Sequence, residues 1–437
     1  MKKLALITPS NNYFQESIFP PLGLIALRSA IRQQLQLDVA ILDGLKYSYE
    51  TIKGIADEFD IIGLQVHSLN SKEAVSIGRK LRSYKRKVMI GGPEVTISRN
   101  LNWASDAFDL AVLGHISKNV IMSIDELLTN KIREPKIVIG HNQFSGRIDY
   151  SRLDLKTYWS RSQQTGREYR HAPVISHLGC TFRNHTKGGC SFCADVSNIS
   201  AMRNLDDLTH EVWQLYSMYD VKSFFCVGEN LAQEYMYHIL KPHLFPKDIS
   251  WSFFARASEI TPKTVLLLKA FGVREIRLGV ESGDSQILAA ISKGENLNSI
   301  ENAIRLLDSS GVTTTASFVL GLPGESHLSL QKTVNLAKKW SQIYSNLFVS
   351  VSIVMPIPGS RIGKLADVEA GDGVTTDHQK DFIMRFTNIS WQNLMQAAEE
   401  ISSLPRSVDP ATTMVDAPWR RSVNETKWKT APYVRCA

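Results

Sequence analysis

Three of the chain's five cysteines lie within fourteen residues, as Cys180, Cys190 and Cys193. Clustered thiolates are typical metal ligands, and a [4Fe–4S] cluster normally takes four of them. Three thiolates in one loop would leave one iron open to a substrate or cofactor, as in catalytic metal sites that keep an open position. The other interpretations are a zinc site, a disulfide with a spare thiol, or cysteines without a function.

The composition favours a metal over a disulfide. Met1-Lys2-Lys3 runs directly into a strand-like apolar segment, so we expect no signal peptide. No apolar run approaches the roughly 20 residues that a membrane-spanning helix needs. We therefore expect a cytoplasmic protein, in which disulfides are rare and clustered cysteines more often bind a metal. The net charge is only +7 and the basic residues are scattered, which does not indicate a nucleic-acid-binding surface.

The elements that position these cysteines begin with residues 1–145, where strand-like apolar runs alternate with helical patterns. The predicted strands begin at Leu4, Asp38, Ile61, Val88 and Leu110. Strands joined by helices pair in parallel through right-handed crossovers, which predicts an α/β domain with an open, doubly wound, Rossmann-like sheet. Ligands of such sheets bind beyond the carboxyl ends of the strands, where the predicted loops are rich in Gly, Ser, Asn and His.

This stretch resembles the cobalamin-binding domain that precedes many radical S-adenosylmethionine (SAM) enzymes. The resemblance is carried by Pro20-Pro21-Leu22-Gly23-Leu24 with Leu27, by Ile41-Leu42-Asp43, by Ile62-Gly63-Leu64 and by Gly91-Gly92-Pro93-Glu94. The Asp-x-His-x-x-Gly signature, whose histidine ligates cobalt from below, is absent, because Gly44-Leu45-Lys46 follows Asp43. The resemblance implies a cobalamin-binding-type domain without that lower ligand. His67 or His115 is a candidate to approach the cofactor, and a degenerate, empty domain is the alternative.

Six further strand-like runs alternate with helices over residues 171–365, after a polar linker at 146–170. They predict a partial (β/α)6 TIM-like barrel, smaller than the eight-unit barrel. The first run, Pro173–Gly179, leads into the cysteine loop and so places the thiols at the carboxyl end of a strand, where barrel enzymes have their active sites. Residues 366–437 are predicted to form a helical cap, with one helix over Gln379–Leu404.

The order of motifs in this second region resembles the radical SAM superfamily, in the branch with cobalamin-binding domains and methylthiotransferase-like barrels. After the cysteine loop, the motifs that follow successive strands are Gly228-Glu229-Asn230, Arg256, Glu281-Ser282-Gly283, Gly321-Leu322-Pro323-Gly324-Glu325 and Met355-Pro356-Ile357-Pro358-Gly359-Ser360. One departure is the first cysteine gap, which holds nine residues instead of the usual three. Because the entropic cost of a loop grows slowly with its length, we expect the cluster to be intact.

The resemblance implies that Cys180, Cys190 and Cys193 hold a [4Fe–4S] cluster whose fourth iron binds the amino and carboxylate groups of SAM. It also implies a set of SAM contacts: Gly228 and Glu229 for the ammonium, Arg256 for the carboxylate, Glu281 and Ser282 for the ribose or methionine, and Gly321 and Pro323 near the adenine. The alternative for the charged members of this set is ion pairing within the barrel. Cys226, between Phe225 and Val227, is predicted to be a core thiol.

The resemblance therefore implies a radical SAM enzyme that makes a 5′-deoxyadenosyl radical and performs cobalamin-dependent methylation of an unactivated carbon in a biosynthetic substrate. A second hypothesis is rearrangement, epimerisation or sulfur insertion without cobalamin chemistry. A third, of another class, is a non-catalytic iron–sulfur or zinc-binding protein. The expected partners are a small-molecule or peptide substrate and an external electron donor of the flavodoxin or ferredoxin type, with neither a membrane nor a nucleic acid.

Overall fold

The structure is a computed structural model. It describes residues 2–9, 20–44, 54, 56–98, 100–140, 146–151, 153–159, 170–185, 189–194, 201–231, 233–239 and 241–407. Most of the predicted helix Tyr49–Glu58, much of the predicted linker and the tail after residue 407 lie outside these residues. Within the described part of the chain, no helix is long and apolar enough to cross a membrane.

The first six strands form one parallel sheet. They are β1 (Lys3–Thr8), β2 (Asp38–Asp43), β3 (Ile61–Gln65), β4 (Lys87–Gly91), β5 (Leu110–Leu113) and β6 (Lys136–Ile139). Their spatial order is β2-β1-β3-β4-β5-β6, so the winding reverses between β1 and β3 and the sheet is doubly wound, as predicted. The helices of this region are α1 (Leu22–Gln34), α2 (Ser71–Ser83), α3 (Pro93–Ile97) and α4 (Lys118–Leu128).

Both faces of this sheet are covered, which explains the near-continuous apolar strands. Ala5 and Ile7 of β1 belong to one buried apolar cluster, whereas Leu4 and Leu6 belong to another. Successive side chains of a strand point to opposite faces, so a strand between two helical layers is apolar throughout. This packing leaves only the strand ends and their loops available for ligands.

The second region forms another six-stranded parallel sheet, whose strands are β7 (His171–Val174), β10 (Ser223–Cys226), β11 (Ser250–Ala255), β12 (Val273–Glu281), β13 (Thr313–Leu320) and β14 (Leu347–Ile353). The strands lie in chain order, β7 at one edge and β14 at the other, and all pairs are parallel. This is the predicted partial (β/α)6 arrangement. The predicted strand Pro173–Gly179 is in fact two elements, because β7 ends at Val174 and β8 (His177–Leu178) pairs antiparallel with β9 (Ala201–Met202).

Helices alternate with the strands of the second sheet along the chain. They are α5 (Thr181–His185) in the cysteine loop, α6 (Leu205–Tyr219), α7 (Gln233–Ile239), α8 (Pro262–Ala270), α9 (Ser285–Ala290), α10 (Leu297–Ser309) and α11 (His327–Ile343). Single 3₁₀ turns occur at Ala56–Glu58, Asn102–Ala104, Leu155–Tyr158, Pro242–Leu244 and Ala257–Glu259.

The C-terminal helices are α12 (Arg361–Leu365), α13 (Thr376–Phe386) and α14 (Trp391–Ser402). The prediction of one helix over Gln379–Leu404 is therefore wrong. Thr387 is extended, with φ −130° and ψ 165°, and Ser390 caps the next helix by accepting a hydrogen bond from the Asn393 N–H. A hydroxyl side chain at an N-cap favours such a new start, which the uninterrupted apolar period of the sequence conceals.

Candidate active site

One edge of the second sheet collects the residues that the sequence singles out. Because all six strands run in parallel, their carboxyl ends lie on the same side. Gly228 follows β10, Arg256 follows β11, and Gly321 follows β13, while Glu281 is the last residue of β12. The cysteine loop follows β7 and β8 on the same side. The arrangement is the one in which barrel enzymes build their active sites.

The first cysteine stands at the start of the short helix α5. Backbone N–H groups of Arg183 and Phe182 donate hydrogen bonds to its sulfur. Burial raises the pKa of the Cys180 thiol, whereas these N–H groups and the nearby charge of Arg256 lower it. Hydrogen bonds of this kind orient a thiolate and stabilise its charge, as the ligand of an iron–sulfur cluster requires. Neither Cys180 nor Cys190 forms a disulfide.

Later segments of the barrel hold the second half of the cysteine loop. The Ser191 N–H donates to the Ile291 carbonyl at 2.8 Å, and the Ser191 carbonyl accepts from the Ile362 N–H at 3.1 Å. The Arg361 side chain donates to the Gly189 carbonyl at 2.6 Å. The backbone on both sides of Cys190 is therefore fixed by parts of the chain that follow it by about a hundred residues or more.

Arg256 is directed toward the cysteines. Its Nη1 lies 3.9 Å from the Cys190 Sγ, and its Nη2 donates to the Lys293 carbonyl. The guanidinium group stacks 3.6 Å above the centre of the Phe182 ring. A Cβ at Gly294 would lie 2.6 Å from the same ring, so the Phe182 ring fills the space between Arg256 and the Gly294 backbone. This cation–π contact fixes α5, and with it Cys180, against the end of β11.

A buried group of charges surrounds this contact. The Lys293 Nζ lies 3.1 Å from the Glu281 Oε1 and 3.9 Å from the Glu295 Oε2, and the latter atom lies 3.7 Å from the Arg256 Nη2. Burial opposes the charged form of Lys293, but the charges of Glu281, Cys190 and Glu295 outweigh it and raise the pKa of the Lys293 ammonium. Two buried cations thus stand beside the cysteine loop, each with a carboxylate partner.

Glu281 has an unusual backbone. Its φ of 68° is positive, and the pairing of β12 with β13 shifts register between Gly279 and Glu281. A non-glycine residue in the left-handed region costs about 1 kcal/mol, and such strain persists only where the surroundings enforce it. Here the ion pair with Lys293 holds the side chain. The strained bend turns Glu281 toward the charged group at the carboxyl edge.

The half-buried carboxylate of Glu259 connects three strand-end segments. It accepts hydrogen bonds from the backbone N–H groups of Arg256, at 2.8 Å, and Leu231, at 3.0 Å, and from the Asn230 side chain. The Asn230 amide also donates to the Thr181 hydroxyl at 3.0 Å. Burial raises the pKa of Glu259, and these hydrogen bonds lower it. Glu259 therefore links the ends of β10 and β11 to the cysteine loop.

Only glycine fits at position 228, because the His177 ring occupies the space of a side chain. A Cβ at this position would lie 2.1 Å from the Cε1 of His177. The His177 ring is buried, its centre lies 4.0 Å from that of Tyr235, and its Nδ1 is 2.8 Å from the Ser176 Oγ. Burial lowers the pKa of His177 to about 4, so the ring is neutral at pH 7. The imidazole packs directly against the Gly228 backbone. Glu229, the next residue, is half-buried at the carboxyl edge.

The remaining predicted SAM residues follow β12 and β13 at the same edge but have other hydrogen-bond partners. Gly321 has a φ of 82°, and its N–H donates to the Glu325 Oε2 at 2.6 Å. Pro323 is half-buried in the same turn. The Ser282 hydroxyl is buried 3.3 Å from the Thr333 hydroxyl of α11 and accepts a hydrogen bond from the Asp284 N–H. Binding to SAM stays a prediction for every member of the set, which is Gly228, Glu229, Arg256, Glu281, Ser282, Gly321 and Pro323.

We expect the Glu325→Gln variant to gain stability at alkaline pH. Burial raises the pKa of Glu325 from 4.5 to about 7, so the native state holds this proton more tightly than the unfolded chain. The stability that this tighter proton binding gives the native state is fully present below pH 4.5, and it is lost as the pH rises through about 7. Glutamine should thus stabilise by about 3 kcal/mol at pH 8, and by far less at pH 5, in urea unfolding. The exposed Glu399→Gln is the control, and an equal gain at both pH values would contradict the prediction.

The donor set and its surroundings suit an anionic iron–sulfur cluster. Cys180, Cys190 and Cys193 are half-buried thiols in one loop, with Arg256 and Lys293 beside them. No trio of His, Cys, Asp or Glu side chains in the described ranges converges closely enough to hold a single metal ion. The assignment therefore rests on the residue types, the hydrogen bonds to sulfur and the Arg256 guanidinium directed at Cys190.

Sequence reasoning assigns no role to three charged residues of this edge, Glu259, Lys293 and Glu295, although Lys293-Gly294 belongs to the motifs that carry the family resemblance. The Glu259 carboxylate accepts the Arg256 N–H, which is half of a capping box, but an arginine side chain has no acceptor to complete it, so the sequence carries no capping-box signal here. No local pattern predicts that Lys293 pairs with Glu281 or Glu295 with Arg256, because Glu281 and Arg256 lie at the ends of β12 and β11.

The chain is similar to a known protein family and to named methyltransferases. Residues 174–337 match the family model described as the radical SAM superfamily. The chain is 24% identical to an uncharacterized methyltransferase of Pyrococcus horikoshii, over 84% of this chain and 83% of the relative. It is 22% identical to the bacteriochlorophyllide d C-12(1)-methyltransferase of Chlorobaculum tepidum, over 78% of this chain and 72% of that protein.

Solved structures share the fold. The radical SAM methyltransferase TsrM from Kitasatospora setae, solved with cobalamin and a [4Fe–4S] cluster, superimposes with a TM-score of 0.62 at 16% identity, over 84% of this chain and 78% of that chain. The cobalamin-dependent SAM radical enzyme OxsB, solved with aqua-cobalamin and SAM, gives a TM-score of 0.64 at 15% identity, over 91% of this chain and 66% of that chain. Both alignments extend over the two sheets described above.

Proposed function

The chain belongs to the radical SAM superfamily, and from this we propose that it is a cobalamin-dependent methyltransferase that acts on an unactivated carbon. The observation that carries the proposal is the three-cysteine loop at the carboxyl edge of a partial barrel, preceded in the same chain by a doubly wound domain. When bound, the cluster and SAM supply a 5′-deoxyadenosyl radical after one-electron cleavage, and cobalamin supplies the methyl group.

The protein's own residues bind, orient and balance charge. Cys180, Cys190 and Cys193 would hold the cluster, and the Arg256 and Lys293 cations offset its negative charge. Gly228 and Glu229 would receive the ammonium of SAM, while Glu281, Ser282, Gly321 and Pro323 would contact the rest of the molecule. Arg256 is assigned to the SAM carboxylate in the same scheme, and its position beside Cys190 supports a role next to the open iron.

The first sheet offers an edge that suits cobalamin. Polar side chains stand where the strand order reverses: the Thr8 hydroxyl donates to the Gln65 side chain at 2.9 Å. His67 is nearby, but burial lowers its pKa to about 4 and its Nδ1 accepts the Leu69 N–H at 3.3 Å. We propose that cobalamin binds across this edge without a lower ligand from the Asp-x-His-x-x-Gly signature, which the sequence lacks.

Radical SAM enzymes act on small molecules and draw electrons from an external reductant. We propose an electron donor of the flavodoxin or ferredoxin type, a small-molecule or peptide substrate and a cytoplasmic location. A reduced flavodoxin that replaces dithionite in the assay below would support the donor.

The experiment uses the full chain, purified without oxygen and reconstituted with iron and sulfide. SAM and dithionite are added, and 5′-deoxyadenosine is measured by liquid chromatography. Hydroxocobalamin at micromolar concentration is tested for co-elution by its visible spectrum. Formation of 5′-deoxyadenosine together with retained cobalamin is the expected result. Absence of 5′-deoxyadenosine would overturn the radical reaction. Product without retained cobalamin would favour a rearrangement, epimerisation or sulfur insertion instead.

A further inference from the structure

A buried carboxylate in the first domain bonds directly to the segment that follows the barrel. Glu94, in the Gly-Gly-Pro-Glu motif just beyond β4, is fully buried. Its Oε2 accepts a hydrogen bond from the Ser68 hydroxyl at 2.7 Å, and its Oε1 accepts one from the Gly371 N–H at 2.8 Å. Hydrogen bonds to a carboxylate are short, directional and about twice as strong as neutral ones. The residues joined by this carboxylate are 277 positions apart in the chain.

The segment that Glu94 binds is the cross-domain loop, residues 367–375. Gly371 has a φ of 94°, and a Cβ there would lie 2.6 Å from the Trp103 ring. The Val374 N–H donates to the Ser68 carbonyl at 2.8 Å, so Ser68 joins the loop twice, once directly and once through Glu94. Val374 itself is buried in the core of the second domain. The cross-domain loop is therefore anchored on both sides.

The loop connects the two proposed cofactor edges through a short series of contacts. Glu94 follows the carboxyl end of β4, at the edge assigned to cobalamin. The cross-domain loop that it holds begins directly after α12, and the Ile362 N–H of α12 donates to the Ser191 carbonyl between Cys190 and Cys193. A displacement of the loop therefore shifts the first domain relative to the segment that supports the cysteines.

We propose that Glu94 is a positioning residue that, through the cross-domain loop, fixes the cobalamin edge of the first domain at its distance from the cluster loop. The inference rests on the proposed function for what that distance serves. Radical chemistry and methyl delivery must reach the same substrate carbon, and misplacement by about 1 Å costs on the order of 100-fold in rate. Loss of Glu94 leaves the cobalamin edge and the cluster loop each intact but changes the distance between them.

The test measures the loop and the distance separately, with Glu94→Ala, Gly371→Ala and the exposed Glu73→Ala as control. Hydrogen–deuterium exchange of the full chain reports the loop. Peptides that contain Gly371 and Val374 should exchange on the order of 10- to 100-fold faster in both test variants, because a bond to a carboxylate is lost or displaced. Peptides from β13 and from the control should be unchanged. An unchanged loop in Glu94→Ala would overturn the proposal.

Electron paramagnetic resonance reports the distance. In the reconstituted protein with reduced cluster and cob(II)alamin, the two paramagnets should broaden each other's signals, and this coupling should weaken in Glu94→Ala and Gly371→Ala at unchanged iron content. Glu94→Gln should restore most of it, because the Ser68 hydroxyl can accept as well as donate. Faster loop exchange with unchanged coupling would overturn the positioning role. If cobalamin does not bind the wild type, the proposed function fails, while the exchange result still decides whether Glu94 holds the loop.

Discussion

The Cys190→Ala variant is expected to contain almost no iron after reconstitution and to form at least about 100-fold less 5′-deoxyadenosine than the wild type. Cys190 is one of three thiolates available to the cluster, and removing ligand-supporting partners alone typically costs 10- to 100-fold in metal affinity or activity. The variant also leaves the Arg256 guanidinium without the sulfur that lies 3.9 Å from its Nη1. Iron content, the visible spectrum and 5′-deoxyadenosine are measured on the same anaerobic sample.

Cys226→Ala is the matched control. This thiol is fully buried within β10, and burial raises its pKa well above the usual range, as befits the predicted core residue. The change should cost about 1 kcal/mol of stability through a small cavity and leave the iron content unaltered. If Cys190→Ala retained its cluster, or if Cys226→Ala lost it, the assignment of the cluster to the loop would be wrong.

The Gly228→Ala variant should lose about 3 kcal/mol of stability and most SAM cleavage. The added Cβ would meet the buried His177 ring at 2.1 Å, and the stack on Tyr235 prevents that ring from moving aside. Overpacking of a core typically costs 1–3 kcal/mol, and a contact this short belongs at the upper end. The backbone must therefore shift, and with it Glu229, the predicted partner of the SAM ammonium. Urea unfolding and the 5′-deoxyadenosine assay measure the two effects.

A second change identifies the steric cause. In the His177→Ala background, the space left by the imidazole accepts the new methyl group, so Gly228→Ala should cost little further stability and the double-mutant cycle should show coupling of about 1–3 kcal/mol. Gly54→Ala is the control glycine substitution, because nothing lies within 4 Å of its added Cβ. Equal losses from Gly228→Ala with and without His177 would contradict the steric explanation.

Most of the fold could be predicted because its strands are buried on both faces. Strands such as β1 and β5 are apolar runs, at residues 4–7 and 110–113, that end in glycine- or polar-rich loops. The pattern fails where burial is one-sided: β6 at the sheet edge is not predicted, because Ile137 and Ile139 are 51% and 70% exposed and only Val138 faces the core. The break between α13 and α14 is missed for a different reason, since the apolar period continues across Thr387.

Some features of the candidate site could be predicted from short sequence motifs, whereas others depend on contacts between distant residues. Cysteine spacing and the position of Arg256 after a strand are local, and the parallel sheet brings them to one edge. The partners of these residues are not local. That Arg256 stacks on Phe182 and reaches Cys190 depends on how α5 folds back, and the pairing of Lys293 with Glu281 requires the register shift at the end of β12. Glu94 belongs to this second group, because its partner Gly371 is 277 residues away.

The hydrogen bonds on either side of Cys190 also determine when the cluster loop becomes ordered during synthesis. The cysteines are synthesised near the start of the second domain. The hydrogen bond to the Gly189 carbonyl cannot form until Arg361, which is 172 residues further along the chain, has been synthesised. Long-range contacts form late, because the intervening chain must be closed first. In a ribosome-bound chain that ends before Arg361, the three thiols therefore lack the contact that Arg361 makes with the cysteine loop. We therefore expect the cluster to assemble after the barrel has been synthesised through Arg361.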